Sequence, residues 1–185
     1  MIINLRGNHA SGKSTTVRNV LKHYKSTPIY GLLGPKQPEA YHCETAPGLP
    51  SLHILGPYIN PTTAGCDFVT KRGMAVMIAL MEKYASKGNV LFESILTSVR
   101  FGAPGDWLEA HKDEVLVVIL DVSLEECIKS LHARQADSNF AGGEKHIRDH
   151  QHQFERIQVR LKEKGFHVEH VNRENAVDRI IQWLT

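Results

Sequence analysis

The run Gly7-Asn8-His9-Ala10-Ser11-Gly12-Lys13-Ser14, followed by Thr15, has the spacing GxxxxGK(S/T). Glycines at both ends let the backbone turn tightly, so that successive amide N–H groups can face one anionic group. Lys13 adds an ammonium charge, and a hydroxyl at position 14 suits the coordination shell of a hard cation. The expected ligands of residues 7–15 are therefore ATP and Mg2+, with Lys13 as the cation that stabilises the transferring phosphate and Ser14 on the metal side. The alternative, a plain Gly-rich turn, is disfavoured by the apolar run 2–5 before the loop and the helical pattern of Val17, Val20, Leu21 and Tyr24 after it.

Binding a nucleotide is not yet catalysis, and two later segments supply acids. Residues 89–93 and 115–121 both read as strands ending in a carboxylate, Glu93 and Asp121 respectively. The second leads at once into a helix ending near Arg134, which resembles the strand-helix-Arg unit that enters the lid of nucleotide-kinase-like enzymes. That resemblance implies that the earlier strand lies beside the phosphate-loop strand and that Glu93 sits close to the transferring phosphate. There Glu93 would either orient Mg2+ through water or accept the proton of the attacking hydroxyl. Asp121 is read as an ordinary strand-end acid. Arg134 leads the lid cations expected over 134–150, ahead of Lys145, His146 and Arg148, while Arg100 is a candidate for holding substrate phosphate. His146, His150 and His152 lack the companions of a zinc site, and Cys66 beside Asp67 reads as a packed thiol.

These residues need a scaffold, and the hydrophobic periodicities describe one. Strands are expected over 2–5, 29–33, 52–55, 90–93, 115–120 and 166–171, with a Gly- and Pro-rich loop over 34–51 and another over 56–67. Helices are expected over 68–87, with Met74, Met77 and Met81 in the core, over 123–135 behind a Ser123/Glu126 capping box, from 144 to Gly165, and at the end of the chain; residues 101–105 read as a turn. Strands alternating with helices predict an α/β domain with a doubly wound parallel sheet, helices on both faces and a small lid, all within a single domain over 1–185.

Composition narrows the function further. The chain has 185 residues and a formal net charge of +2, from 22 Lys and Arg against 20 Asp and Glu, so no uniform field draws it to nucleic acid or membrane. Its 11 histidines would add positive charge under mild acid. Three cysteines at wide spacing fit no disulfide framework, and no apolar run approaches the ~20 residues of a membrane span, so a cytoplasmic protein is expected. No NKxD-like guanine-reading motif is present and the chain is short for a motor domain, which favours a small kinase. Composition specifies no oligomeric state.

The loop at 7–14, the run from Gly56-Pro57-Tyr58 to Ala64-Gly65-Cys66-Asp67, and Val90-Leu91-Phe92-Glu93-Ser94-Ile95-Leu96-Thr97-Ser98 together resemble the bacteriophage 5-hydroxymethyluracil DNA kinases. The chain has Ala64-Gly65 where that family commonly has a Gly pair, and Ser94 where a Gly commonly follows the acid. The resemblance implies transfer of the ATP γ-phosphate to the hydroxymethyl group of 5-hydroxymethyluracil in phage DNA, in the host cytoplasm, with Asp67 and Tyr58 on the acceptor side and Glu93 serving the transfer. A free nucleotide or another small hydroxyl acceptor is the alternative enzyme reading, and a nucleotide-binding regulatory module the non-enzymatic one. A DNA grip would come from a local patch such as Lys71, Arg72 and Arg100. Because the loop's shape comes from glycine and its charge from the ammonium, Lys13→Ala is expected to abolish transfer and keep the fold; near wild-type turnover in a folded variant would overturn the phosphate-loop assignment.

Overall fold

The computed structural model describes residues 1–60, 65–95, 97, 102–135 and 143–185. Seven strands form one sheet in the order β2-β3-β4-β5-β1-β6-β7. They are β1 (Ile2–Arg6), β2 (Ser26–Ile29), β3 (Ala40–Cys43), β4 (Leu52–Leu55), β5 (Asn89–Glu93), β6 (Val115–Asp121) and β7 (His167–Asn172). From β4 to β7 all neighbours run parallel, and β3 is antiparallel to both β2 and β4. The sheet is thus dominated by parallel pairs, as expected of a doubly wound α/β domain, with an antiparallel hairpin added at one edge. The connections explain it: β2 to β4 are joined by short loops that fit hairpins, whereas parallel neighbours need long crossovers.

The described helices are α1 (Lys13–His23), α2 (Cys66–Arg72), α3 (Met74–Ala85), α4 (Gly102–Ala110), α5 (Leu124–Gln135), α6 (Glu144–Glu163) and α7 (Ala176–Leu184). One face of the sheet buries Ile2, Val90, Phe92, Val117 and Ile119 against Met77, Leu80 and Met81 of α3, Leu108 of α4 and Phe154 of α6. The other buries Ile3, Leu5, Leu91, Val118 and Leu120 against Val17 and Val20 of α1 and Ile180 and Leu184 of α7. The central strands are apolar on both faces because both are covered.

Four expectations differ from the structure. The strand expected at 29–33 lies at Ser26–Ile29, and the loop expected over 34–51 contains β3, whose Ala40, Tyr41 and Cys43 are buried. The four residues of β3 are too short to show a period, and His42 interrupts the apolar run. The helix expected over 68–87 is two helices parted by Gly73, which at φ 126° adopts a conformation that L side chains rarely take. The turn expected over 101–105 is largely the start of α4, since proline is tolerated in a helix's first turn. The Ser123/Glu126 capping box is present: Glu126 N donates to Ser123 Oγ (3.2 Å) and Ser123 N to Glu126 Oε2 (3.1 Å).

The hairpin is tied to the rest by Glu39, which is fully buried. Its carboxylate accepts hydrogen bonds from Tyr84 Oη (2.6 Å), Leu32 N (2.5 Å) and Lys83 Nζ, and its carbonyl accepts from Gly56 N (2.8 Å). Burial opposes the charge, but the hydrogen bonds from Lys83, Tyr84 and Leu32 outweigh it and hold the pKa below the ordinary carboxylate value. The stabilisation is therefore present above that ordinary value and lost as the pH falls. Glu39→Ala should cost about 2–3 kcal/mol near neutral pH, less than for a wholly buried pair because Lys83 is 38% exposed and keeps much of its water. Urea titration at pH 7 and at pH 4 checks this, with the deficit shrinking in acid.

Candidate functional site

The parallel register places the site. Leu5 of β1 lies beside Glu93 of β5, so β5 ends where the chain turns into the loop at Gly7. On the other side of β1, Arg6 pairs with Ile119, which carries Asp121 past the strand's end to an exposed position 2.9 Å from His170 Nδ1. Of the two strand-end acids, the structure brings Glu93 to the loop and leaves Asp121 outside it.

Within the loop, Ala10 and Gly12 have positive φ, 61° and 101°. Gly12 is the cap of α1, and Thr16 N donates to Gly12 O (2.9 Å). Lys13 Nζ bridges the carbonyls of Gly7 and Asn8, 3.0 Å to each, which folds the ammonium back over the loop. Asn8 Nδ2 donates to Ile147 O (3.2 Å) and Gln151 Oε1 (2.8 Å), clasping the loop to α6. Arg173, which no sequence motif marked, donates from Nε to Ser11 O (3.1 Å) and rests against Gly12. Thr15 is exposed.

Glu93 is buried, and its Oε1 accepts from both Ser14 Oγ (2.9 Å) and Tyr58 Oη (3.2 Å). Asp67, near the start of α2, accepts at Oδ1 from Ser94 Oγ (2.9 Å) and Ile95 N (2.8 Å). His9, Ala10, Gly12, Lys13, Ser14, Asp67, Glu93 and Ile95 line one small hollow of about 50 Å³. Burial raises the Glu93 pKa to about 7, the charge of Asp67 adds to the rise, and Lys13, Ser14 and Tyr58 oppose it. The Tyr58 phenol is pushed well above its ordinary value by burial and by Glu93, so it remains a donor.

Gly65 is required by this packing. Its φ is 53°, and an added Cβ would come within 2.7 Å of Glu93 Oε1 and 2.6 Å of Tyr58 Cε1. Cys66 is buried and donates from Sγ to Leu55 O (2.8 Å), and burial keeps its thiol protonated. The packed-thiol expectation fits this placement.

The remaining candidates are divided. Arg100 and the Arg134 side chain lie outside the described residues, as does the middle of the expected lid over 134–150. Arg148 is exposed and 3.6 Å from Glu144, and His152 faces Glu155. Lys71 and Arg72 are exposed at the end of α2, with Arg72 over the Phe68 ring. His146 and His150 have ring centroids 3.9 Å apart with their planes tilted by 52°, and each meets the His9 ring close to perpendicular, at 77° and 75°. Among the described residues no cluster of three or more His, Cys, Asp or Glu is arranged to hold a metal ion, and no helix is long and apolar enough to cross a membrane. Sequence reasoning missed the clamp on Asp67 from Ser94 and Ile95, the Asn8–Gln151 clasp and Arg173. The Ser at 94 was visible as a departure from the family pattern, but nothing indicated its partner.

No family model matches the chain. A protein of Pseudomonas phage PaMx11 named 5-hmdU DNA kinase is 30% identical over 140 residues, 75% of this chain and 71% of the relative. Among solved structures, YorR of Bacillus subtilis in complex with phosphorylated GDP has a TM-score of 0.54 at 15% identity, over 100% of this chain and 95% of that one. A gluconokinase from Sinorhizobium meliloti 1021 has a TM-score of 0.52 at 12% identity, over 98% and 92%. A deoxyadenosine kinase from M. mycoides with bound products has a TM-score of 0.51 at 15% identity, over 100% and 98%. These three share the fold, and the phage protein shares the sequence. The chain is an ATP-dependent phosphotransferase with the P-loop kinase fold and belongs to the family of the phage 5-hmdU DNA kinase.

Proposed function

We propose that the protein transfers the γ-phosphate of ATP to the hydroxymethyl group of 5-hydroxymethyluracil in DNA. The observation that carries the mechanism is the division of two carboxylates around one hollow: Glu93 is bonded to Ser14 on the nucleotide side, and Asp67 is held by Ser94 and Ile95 N opposite it. The acceptor is supported by the phage relative's name and by the likeness of the segments at 56–67 and 90–98.

Mg2+ fits the nucleotide side. Ser14 can turn a lone pair toward a cation while it goes on donating its hydrogen bond to Glu93 Oε1, and the buried Oε2 of Glu93 has no hydrogen-bond partner among the described residues, as an oxygen suited to a metal-bound water would. A site with few protein ligands suits this ion, which keeps waters and takes phosphate oxygens. When bound, it would neutralise charge on the β- and γ-phosphates. Lys13 would release its loop carbonyls for phosphate oxygens, while Tyr58 and Ser14 hold Glu93 in one rotamer. Asp67 would take the acceptor hydroxyl's proton as that oxygen bonds to Pγ; the bond from Pγ to the bridging oxygen breaks, and ADP leaves with the electron pair. The lid cation Arg134 belongs to this reading as a stabiliser of the transferring phosphate.

Incubating labelled ATP with hydroxymethyluracil DNA, ordinary DNA and the matching free nucleotides should place label only in the modified polymer. Label confined to monomers at low salt would replace this reading with a small-molecule kinase. Glu93→Gln should lower turnover at least ~100-fold with ATP affinity roughly kept. The same variant bears on stability. With a folded pKa of about 7 against an ordinary 4.5, Glu93 stabilises the fold below pH 4.5 relative to higher pH, and that advantage is lost as the pH rises through 7. The ligand-free variant should therefore melt higher than wild type at pH 8, by up to the order of 3 kcal/mol, and match it at pH 4.5. Equal melting at pH 8 would contradict a strained Glu93.

A further inference from the structure

We infer that Tyr30 and Arg18 form a subsite for the nucleotide next to the acceptor base on the same strand; this rests on the DNA-acceptor reading above. β3 is antiparallel to both β2 and β4, so β2 runs in the same direction as β4, and β4 is parallel to β5 and β1. The segments after β2 and β4 therefore leave the sheet at the edge where the phosphate loop leaves β1. Three of the five large apolar side chains exposed among the described residues lie in those two segments: Tyr30 at 51%, Leu32 at 60% and Ile59 at 55%.

The sheet register orients Tyr30. Ile29 packs on the α3 face, and Pro28 is paired with Tyr41, whose ring packs on the α1 face. Alternation turns Tyr30 to the side of Tyr41 and α1. Burial raises the pKa of the Tyr41 hydroxyl; the hydrogen bond from Tyr58 N and the charge of Arg18 oppose the rise, and Tyr30 adds to it. Arg18 stands one turn beyond Ser14 on α1, with its guanidinium 5.7 Å from the centre of the Tyr58 ring. Tyr41 Oη accepts from Tyr58 N (3.2 Å), and Tyr58 reaches Glu93. A connected row thus runs from Glu93 through Tyr58 to Tyr41, with Arg18 over the Tyr58 ring, and the exposed Tyr30 follows the strand residue paired with Tyr41 by two positions on the same face.

An exposed aromatic and an arginine on one face at the rim of a phosphotransfer site have the chemistry of single-strand recognition: a base stacks on the ring and the guanidinium holds the intervening phosphate. Tyr58 is buried against Glu93 and offers no open face of that kind. The subsite gives specificity for a polymer although the net charge is only +2.

The test measures anisotropy of a fluorescent single-stranded oligothymidylate, at low salt with a non-hydrolysable ATP analogue, alongside transfer to hydroxymethyluracil as a free nucleoside and within an oligonucleotide. Wild type should bind the oligonucleotide. Tyr30→Ser and Arg18→Ala should each weaken binding roughly tenfold, and Tyr30→Phe should retain it. Arg18→Ala should also make the salt dependence shallower by about 0.7 in log–log slope. Transfer to the free nucleoside and KM for ATP should not change. Absence of oligonucleotide binding by wild type, unchanged binding in both variants, or equal losses on nucleoside and oligonucleotide would overturn the subsite. Oligonucleotide binding that follows these variants without any transfer to hydroxymethyluracil would support the subsite and reject only the acceptor.

Discussion

The site depends on burying one carboxylate. Glu93 is forced to the loop by the pairing of β5 with β1, and there is no exposed position it can take without breaking that pairing. A buried carboxylate is tolerated only when donors surround it. Ser14 and Tyr58 supply two, and both converge on Oε1. The first comes from the start of α1 and the second from the segment after β4, so the carboxylate ties together two parts of the chain far apart in sequence.

That arrangement leaves an electrostatic imbalance. Two acids, Glu93 and Asp67, face one ammonium, Lys13, which is occupied with its own loop carbonyls. Burial first, and then the charge of Asp67, make Glu93 hold its proton more tightly. Such residual strain at a reacting centre is a preorganised charge deficit that cationic ligands relieve, so tight packing and functional readiness work against each other at the same atoms. The neighbouring glycine reflects the same crowding, because Gly65 stands where any side chain would strike Glu93 or Tyr58.

Much of this was legible in the amino-acid sequence, for physical reasons that differ by element. The phosphate loop is legible because backbone conformation and one charge carry its chemistry, and both are encoded locally. The central strands are legible because burial on both faces leaves continuous apolar runs, as in Val115–Asp121. β3 is not legible, since four residues hold no period. The division of the helix after Asp67 is hidden because an isolated glycine is tolerated inside a helical pattern, so Gly73 does not by itself reveal its positive φ. Residues such as Ser94, Gln151 and Arg173 act through partners 27 to 162 positions away, and no local pattern encodes a partner at that distance.

α2 has a consequence for how such an enzyme diversifies. It is a helix of seven residues between Gly65 and Gly73, both with positive φ, and it carries Asp67, which Ser94 and Ile95 tie to the segment directly after Glu93. Its inward anchors are the Cys66 thiol on Leu55 O and the buried Val69 and Thr70, which leaves its outer face to solvent. Substitutions on its outer positions, including Lys71 and Arg72, can accumulate without altering the register that fixes Glu93. On the proposed reading, changes on that outer face would alter what approaches Asp67 while the strand pairing that holds Glu93 beside the phosphate loop stays in place.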